Sequence, residues 1–136
     1  EHAQLLYDQA RVHHYHGGGS TDHVREAQRL YRAALERDPG HLLAHLGLAT
    51  LLEESLDDPA AAEREYERAI GVGGAEAELR ARIAECRHRS GDVDGAIRIL
   101  QAAVEGSEFP EEYHDRVETL GTWFLERAGH ASDAVI

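Results

Sequence analysis

The feature that most limits how this chain can fold is a spaced set of small and large apolar residues that returns along it. In the run EAQRLYRAALERDPG the set is Ala27, Tyr31, Ala34 and Leu35. The later copies are Ala62, Tyr66, Ala69 and Ile70, and then Ala96, Leu100, Ala103 and Val104. The leading alanines lie 35 and then 34 residues apart. A period of this length is typical of stacked helical repeats, whose units bury their apolar faces only against one another.

Each copy predicts an α-helix. Positions i, i+4, i+7 and i+8 fall on one face of a helix, and Arg and Glu occupy the opposite face. The alanines allow a neighbouring helix to approach closely, while Tyr31, Tyr66 and Leu100 fill the space between hairpins. Pro39 lies just beyond the first copy, where it stops the helix.

A second helical pattern lies upstream of each copy. Its members are His45, Leu48, Ala49 and Leu52; Arg80, Ile83, Ala84 and Arg87; Val117, Leu120, Gly121 and Phe124; and, more weakly, Leu6, Gln9, Ala10 and His13. Turn signals follow at 17–21, 57–59, 90–92 and 129–130. We therefore predict first helices near 2–16, 41–55, 75–89 and 110–128. Second helices are predicted near 21–37, 59–71 and 93–105, with a short helical stub after 131.

This arrangement resembles the tetratricopeptide repeat family. The small and apolar positions of that family are matched by Ala84, Gly91, Ala96, Leu100 and Ala103 in the third repeat, and by Gly121, Phe124, Gly129 and Ala134 in the fourth. The resemblance implies an all-α fold, a right-handed α-solenoid of about three and a half stacked antiparallel helix-turn-helix hairpins. We expect a single domain over 1–136, with hairpins near 2–37, 41–71 and 75–105 and an incomplete one over 110–136.

The resemblance also implies a function, because partners of this family lie in the concave groove lined by the first helices. A protein–protein interaction module or scaffold is therefore expected. Ligand-facing positions are the second, fifth, ninth, twelfth and thirteenth of each first helix. Carried onto this chain, they are Leu43, Leu46, Thr50, Glu53 and Glu54; Glu78, Ala81, Glu85, His88 and Arg89; and Glu112, Asp115 and Thr119, with Trp123 nearby.

Charge indicates the class of partner. The formal net charge is -12, from 14 basic and 26 acidic residues, so phosphate backbones and anionic membranes are repelled. The carboxylates of the groove favour a protein or peptide with a basic segment and an apolar anchor. The alternative is that these carboxylates form an ordinary solvated helix face. Trp123 is likewise open to two interpretations, an interface anchor or a packing residue between hairpins.

No motif of the sequence predicts catalysis or a cofactor. Gly17–Gly19 is followed by no Lys, so it is not a phosphate-binding loop, and Cys86 stands alone on a predicted helix. The histidine-rich segment offers His13, His16 and His23 as a metal-binding alternative, with helical spacing only between His13 and His16. Its other interpretation is a helix end and a capping loop. Two functional alternatives stay open: an accessory domain that positions a protein substrate for an enzyme, and a metal-responsive module.

The cysteine count and the last repeat give two further expectations. A single cysteine forms no intrachain disulfide, which favours a cytoplasmic protein. The half-repeat at the C-terminal side would leave an apolar end uncovered, which predicts self-association through that end.

Overall fold

The structure is a computed structural model that describes residues 2–106 and 110–135; of 110–113 and 130–135 it describes only the backbone. Seven helices occupy these residues: α1 (His2–His16), α2 (Thr21–Arg37), α3 (Leu42–Glu54), α4 (Pro59–Gly71), α5 (Glu76–Arg89), α6 (Val93–Glu105) and α7 (Pro110–Val135). The described residues contain no strand. The first six helices confirm the predicted bounds to within one residue at each end.

Polar caps fix where the second helix of each hairpin begins. Ser20, Asp58 and Asp92 each precede α2, α4 or α6, and each side chain accepts a hydrogen bond from the backbone N–H three residues ahead. These bonds satisfy one of the free N–H groups at each helix start. The distances to the nitrogens of His23, Ala61 and Gly95 are 3.3, 3.2 and 2.9 Å.

The chain divides into two compact units, Glu1–Gly74 and Ala75–Ile136. In the first unit α1 packs on α2, α3 packs on α4, and α2 also contacts α3. Tyr31 and Tyr66 are almost wholly buried, and the alanines of both repeats, Ala27, Ala34, Ala62 and Ala69, are fully buried as well. His45 of α3 contacts both α4 and the loop between α2 and α3. Its Nδ1 lies 2.9 Å from Oε2 of Glu65 in α4, and its Nε2 lies 2.8 Å from the carbonyl oxygen of Pro39 in the loop.

In the second unit α5 pairs with α6, and α6 packs on α7. The core of this unit consists of Ala81, Ala84, Ala96, Ile97, Leu100, Ala103 and Trp123. Four of these seven residues are alanines, so the helix backbones approach closely and the large side chains fill the space between them. The repeat pattern therefore predicted Ala96, Leu100 and Ala103 correctly, whereas Ile97 was not predicted and Val104 is only partly buried.

One prediction of the last segment is wrong. The sequence signals at 129–130 predicted a turn followed by a stub, whereas α7 runs without a break from Pro110 to Val135. A glycine inside a helix costs only about 1 kcal/mol relative to alanine, and the good helix formers Arg127 and Ala128 precede it. The fourth hairpin is therefore a single long helix, and the side chain of Ala134 lies outside the described residues.

None of the helices in the described part of the chain combines the length and the apolar composition needed to cross a membrane. The expectation of one domain over 1–136 stays a prediction.

Candidate partner-binding surface

The predicted groove residues of α3 lie on a mostly open helix surface of the first unit. Leu43 is half exposed, Leu46 and Thr50 are partly buried, and Glu54 is exposed. The Thr50 hydroxyl is already engaged, since it donates to the carbonyl oxygen of Leu46 over 2.9 Å. This part of the surface offers Leu43 as an apolar contact and Glu54 as a charge.

Glu53 does not face a partner, contrary to the prediction. Its side chain is buried, with 6% of the residue exposed, and Oε1 accepts a hydrogen bond from the Tyr66 hydroxyl over 2.9 Å. Position twelve of this helix therefore belongs to the α3–α4 packing. A buried carboxylate needs such partners because burial of a charge is otherwise costly.

The second unit brings five predicted residues together around one concavity. It measures about 220 Å³ and lies between α5, α6 and α7. The predicted residues that line it are Glu78, Ala81, Glu85, Asp115 and Thr119. Leu100, which is 2% exposed, also lines it from α6, and Ala81 is buried beside it. The concavity thus combines carboxylates with a small apolar floor.

Two residues of this concavity were missed by the sequence reasoning. Arg82 and Arg116 also line it, and Arg116 is only 8% exposed. The family positions include Ala81 and Asp115 but not the residues that follow them, so Arg82 and Arg116 were left out. A signal was present, because Glu78, Arg82 and Glu85 alternate in sign at helical spacing. The lining therefore carries three carboxylates and two guanidinium groups.

Three other predicted residues of the second unit, His88, Arg89 and Trp123, are not part of the lining of this concavity. Trp123 is 5% exposed within the core, and its ring stacks on His88 with centroids 4.7 Å apart and 8° between the planes. Nε2 of His88 lies 2.6 Å from Glu126 Oε2. The packing interpretation of Trp123 therefore holds. Arg89 is exposed at the end of α5, and the side chain of Glu112 lies outside the described residues.

The histidine segment forms contacts within the first unit. Nδ1 of His13 lies 2.8 Å from Nδ1 of His23, whereas the predicted pair was His13 with His16. His16 lies on the exposed surface of α1. Among the described residues, no three His, Cys, Asp or Glu side chains lie close enough together to hold a metal ion.

His14 joins α1 to the core of the first unit. Its Nδ1 lies 2.8 Å from the Tyr31 hydroxyl, and the two rings meet edge to face. Burial lowers the pKa of His14 below its ordinary value, partly opposed by the carboxylate of Glu54. Burial also raises the pKa of Tyr31 far above its ordinary range. Both groups are therefore neutral near pH 7.

Comparison with known proteins decides the family. The Tetratricopeptide repeat model matches residues 20–55 and 51–110, which together make up more than half of the chain. This chain belongs to the tetratricopeptide repeat family. No curated protein matches this chain in sequence.

Solved structures share its fold. The type III secretion translocator chaperone SycD of Yersinia enterocolitica superposes with a TM-score of 0.74 at 20% identity, over 92% of this chain and 85% of that one. SycD in complex with a peptide of the translocator YopD gives 0.71 at 18% identity, over 90% and 89%. The first TPR of Spaghetti (RPAP3), bound to the HSP90 peptide SRMEEVD, gives 0.64 at 17% identity, over 88% and 96%. The all-α helical-repeat fold predicted from the sequence is confirmed.

Proposed function

We propose that this tetratricopeptide protein is a non-catalytic interaction module that binds a peptide segment of a partner protein, with the concavity between α5, α6 and α7 as a principal contact. The observation that carries the proposal is the convergence of Glu78, Glu85 and Asp115 on that concavity. These residues come from two helices separated in sequence, yet they surround one apolar floor. A solvated helix face alone would not require this convergence.

The lining favours a particular partner chemistry. Three carboxylates attract an Arg or Lys side chain, and they outnumber the two guanidinium groups of Arg82 and Arg116 in the same lining. A small apolar residue fits over Ala81 and Leu100, which form the apolar part of the lining. The expected ligand is therefore a short basic segment that carries an apolar anchor.

Structural neighbours support a peptide as the class of partner. SycD has been solved with a peptide of YopD, and Spaghetti with the peptide SRMEEVD. The latter contains three acidic residues and one basic residue, so it differs in charge from the ligand proposed for this chain. The peptide SRMEEVD is therefore a suitable acidic control for a binding test.

The test is selection of a randomised displayed peptide library on the immobilised chain. The double variant Glu78→Arg with Glu85→Arg is the comparison, and circular dichroism checks that it is folded. We expect the parent to enrich Arg- or Lys-containing peptides with an apolar residue. A synthetic peptide from that pool should bind the variant about tenfold more weakly or worse. The acidic peptide SRMEEVD should not bind the parent.

A matched control separates the concavity from overall charge. Glu67→Arg with Glu105→Arg makes the same change in net charge at two exposed positions away from the concavity. This control should bind as the parent does. If the parent enriches no basic peptides, or if both double variants bind equally, the concavity is not the site.

Two further expectations remain proposals. A cytoplasmic location is supported by the single cysteine, Cys86, which is buried in the second unit. Self-association through the C-terminal side is supported by Val117 and Leu125 of α7, which are 40% and 76% exposed.

A further inference from the structure

Helix α1 presents an uncovered apolar stripe to solvent. Leu5, Val12 and Tyr15 are large apolar or aromatic residues, and their exposed fractions are 56%, 57% and 59%. They lie seven and three residues apart, so they share one side of the helix. The opposite side, with Ala3, Tyr7 and Ala10, is buried against the first unit.

The repeat shows what this stripe does in later helices. Thirty-nine residues beyond Leu5 and Val12, α3 has Ala44 and Leu51, and both are fully buried. The corresponding residues of α5 are Leu79 and Cys86, which are also buried. Two of the three stripe positions are therefore covered in α3 and α5 and uncovered in α1, whereas the equivalents of Tyr15, Glu54 and Arg89, are exposed. This face has the composition of a helix-packing surface.

Two opposite charges accompany the stripe. Asp8 lies between Leu5 and Val12, and Arg11 flanks it on the side of Tyr15. Asp8, Arg11, Val12, Tyr15 and His16 surround a shallow depression of about 330 Å³. The face therefore has an apolar residue, Leu5, near one end and a depression near the other.

We propose that this face is the interface of a homodimer, in which α1 packs antiparallel on α1 of a second copy. A twofold axis between residues 9 and 10 places Asp8 opposite the second copy's Arg11, and the reverse. The same axis places Leu5 at the depression of the second copy, against Val12 and Tyr15. One symmetry operation thus satisfies both the charges and the apolar residues.

The charged residues of this face, Asp8 and Arg11, are complementary to those of a second copy of the same face, and this self-complementarity is the reason for proposing a homodimer. Two chains of net charge -12 repel each other over most of their surfaces. The face of α1 is an exception, because Asp8 and Arg11 balance and each meets its opposite in the pair. A single pair of 15-residue helices buries less area than a typical stable interface, so the dimer is weak and reversible, with a dissociation constant of about 10 µM to 1 mM.

The experiment is sedimentation equilibrium of the chain over a concentration series. The parent should show a monomer–dimer equilibrium. Asp8→Arg and Arg11→Asp each place like charges across the twofold axis, so each should weaken the dimer about tenfold. The charge-exchanged double variant, Asp8→Arg with Arg11→Asp, should regain the parent's affinity. Both positions are exposed, and circular dichroism should show that all variants are folded.

Leu5→Ser and Leu125→Ser separate the two possible self-association surfaces. We expect Leu5→Ser to yield a monomer and Leu125→Ser to dimerise as the parent does. A parent that stays monomeric throughout the series would overturn the proposal. So would a dimer that Leu125→Ser abolishes, or a charge-exchanged variant that remains as weak as the single variants.

Discussion

The hydroxyl of Tyr66 donates a hydrogen bond to Glu53 Oε1 over 2.9 Å, and both side chains are buried. The bond ties the end of α3 to the middle of α4 within the second hairpin. Family positions placed Glu53 on the ligand side of α3, and the aromatic spacing placed Tyr66 in the core. In the structure the two residues share one polar contact in that core.

This contact predicts that Glu53→Ala destabilises the first unit. The substitution leaves the buried hydroxyl of Tyr66 without this acceptor, which costs about 1–3 kcal/mol. Thermal and urea unfolding followed by circular dichroism measure the loss. The result would show that Glu53 stabilises the fold.

A double-mutant cycle with Tyr66→Phe isolates the hydrogen bond. Glu53→Ala and Tyr66→Phe should each destabilise, and the double variant should lose less than the sum of the two. The matched control is Glu54→Ala, since Glu54 is exposed on the same helix end. Additive losses, or an equal loss for Glu54→Ala, would mean that the contact contributes nothing specific.

A close approach at Gly47 gives the second prediction. A Cβ atom at this position would lie 2.5 Å from Cε1 of the buried Tyr31 ring, so the ring or α3 has to shift. We expect Gly47→Ala to cost about 1–3 kcal/mol by overpacking, despite the better helix propensity of alanine. Denaturant unfolding of the variant measures the cost.

Gly121 provides the opposite case. It lies inside α7, and nothing lies within 4 Å of a Cβ built there. Gly121→Ala should therefore stabilise the protein by up to about 1 kcal/mol through helix propensity alone. If Gly47→Ala also stabilises the protein, the Tyr31 contact does not limit position 47.

The helix bounds followed from the sequence because local signals agree there. The apolar spacing, the caps at Ser20, Asp58 and Asp92 and the turn glycines point to the same boundaries. The end of α7 did not follow, because a single glycine is a weak signal. Gly129 suits either a turn or a helix interior, and its neighbours favour the helix.

Only part of the candidate site could be predicted from the sequence, and the reason is not the same as for the end of α7. The ligand-facing positions implied by the family resemblance gave Glu78, Glu85 and Asp115, which line one concavity in the structure. A position in the repeat does not give the partner of a polar group. Glu53 shares the helical face of Thr50 yet is buried against Tyr66, and Arg116 is buried beside Asp115. Such pairings are contacts between different helices, and no fixed spacing along the sequence indicates which residues meet.

The third prediction concerns the small residues of the second unit. Ala84 and Ala96 are fully buried and Ala103 is 2% exposed, so the helices leave no room for a larger side chain. Ala96→Leu should cost about 1–3 kcal/mol by overpacking. Ala102→Leu is the control, because Ala102 is exposed on the same helix. Equal thermal midpoints for the two variants would contradict the packing of α6.

The fourth prediction is a pH dependence of stability from His14. Its pKa is lowered in the folded protein by burial, so the unfolded chain binds the proton more tightly. As the pH falls through the ordinary histidine value near 6.5, the unfolded state gains protons first, and the free energy of unfolding decreases. The contribution is fully present above that value and is lost progressively down to the lowered pKa.

The measurement is urea unfolding of the parent and His14→Gln between about pH 7.5 and pH 5. All other ionisable groups are common to the two proteins, so the relevant quantity is the difference between the two curves. The parent should lose stability more steeply on acidification, because glutamine takes up no proton. His16→Gln, at an exposed position of the same helix, is the matched control for the substitution itself. Parallel curves for the parent and His14→Gln would show that the buried imidazole contributes no pH dependence, and that the contact with Tyr31 tolerates the charged ring.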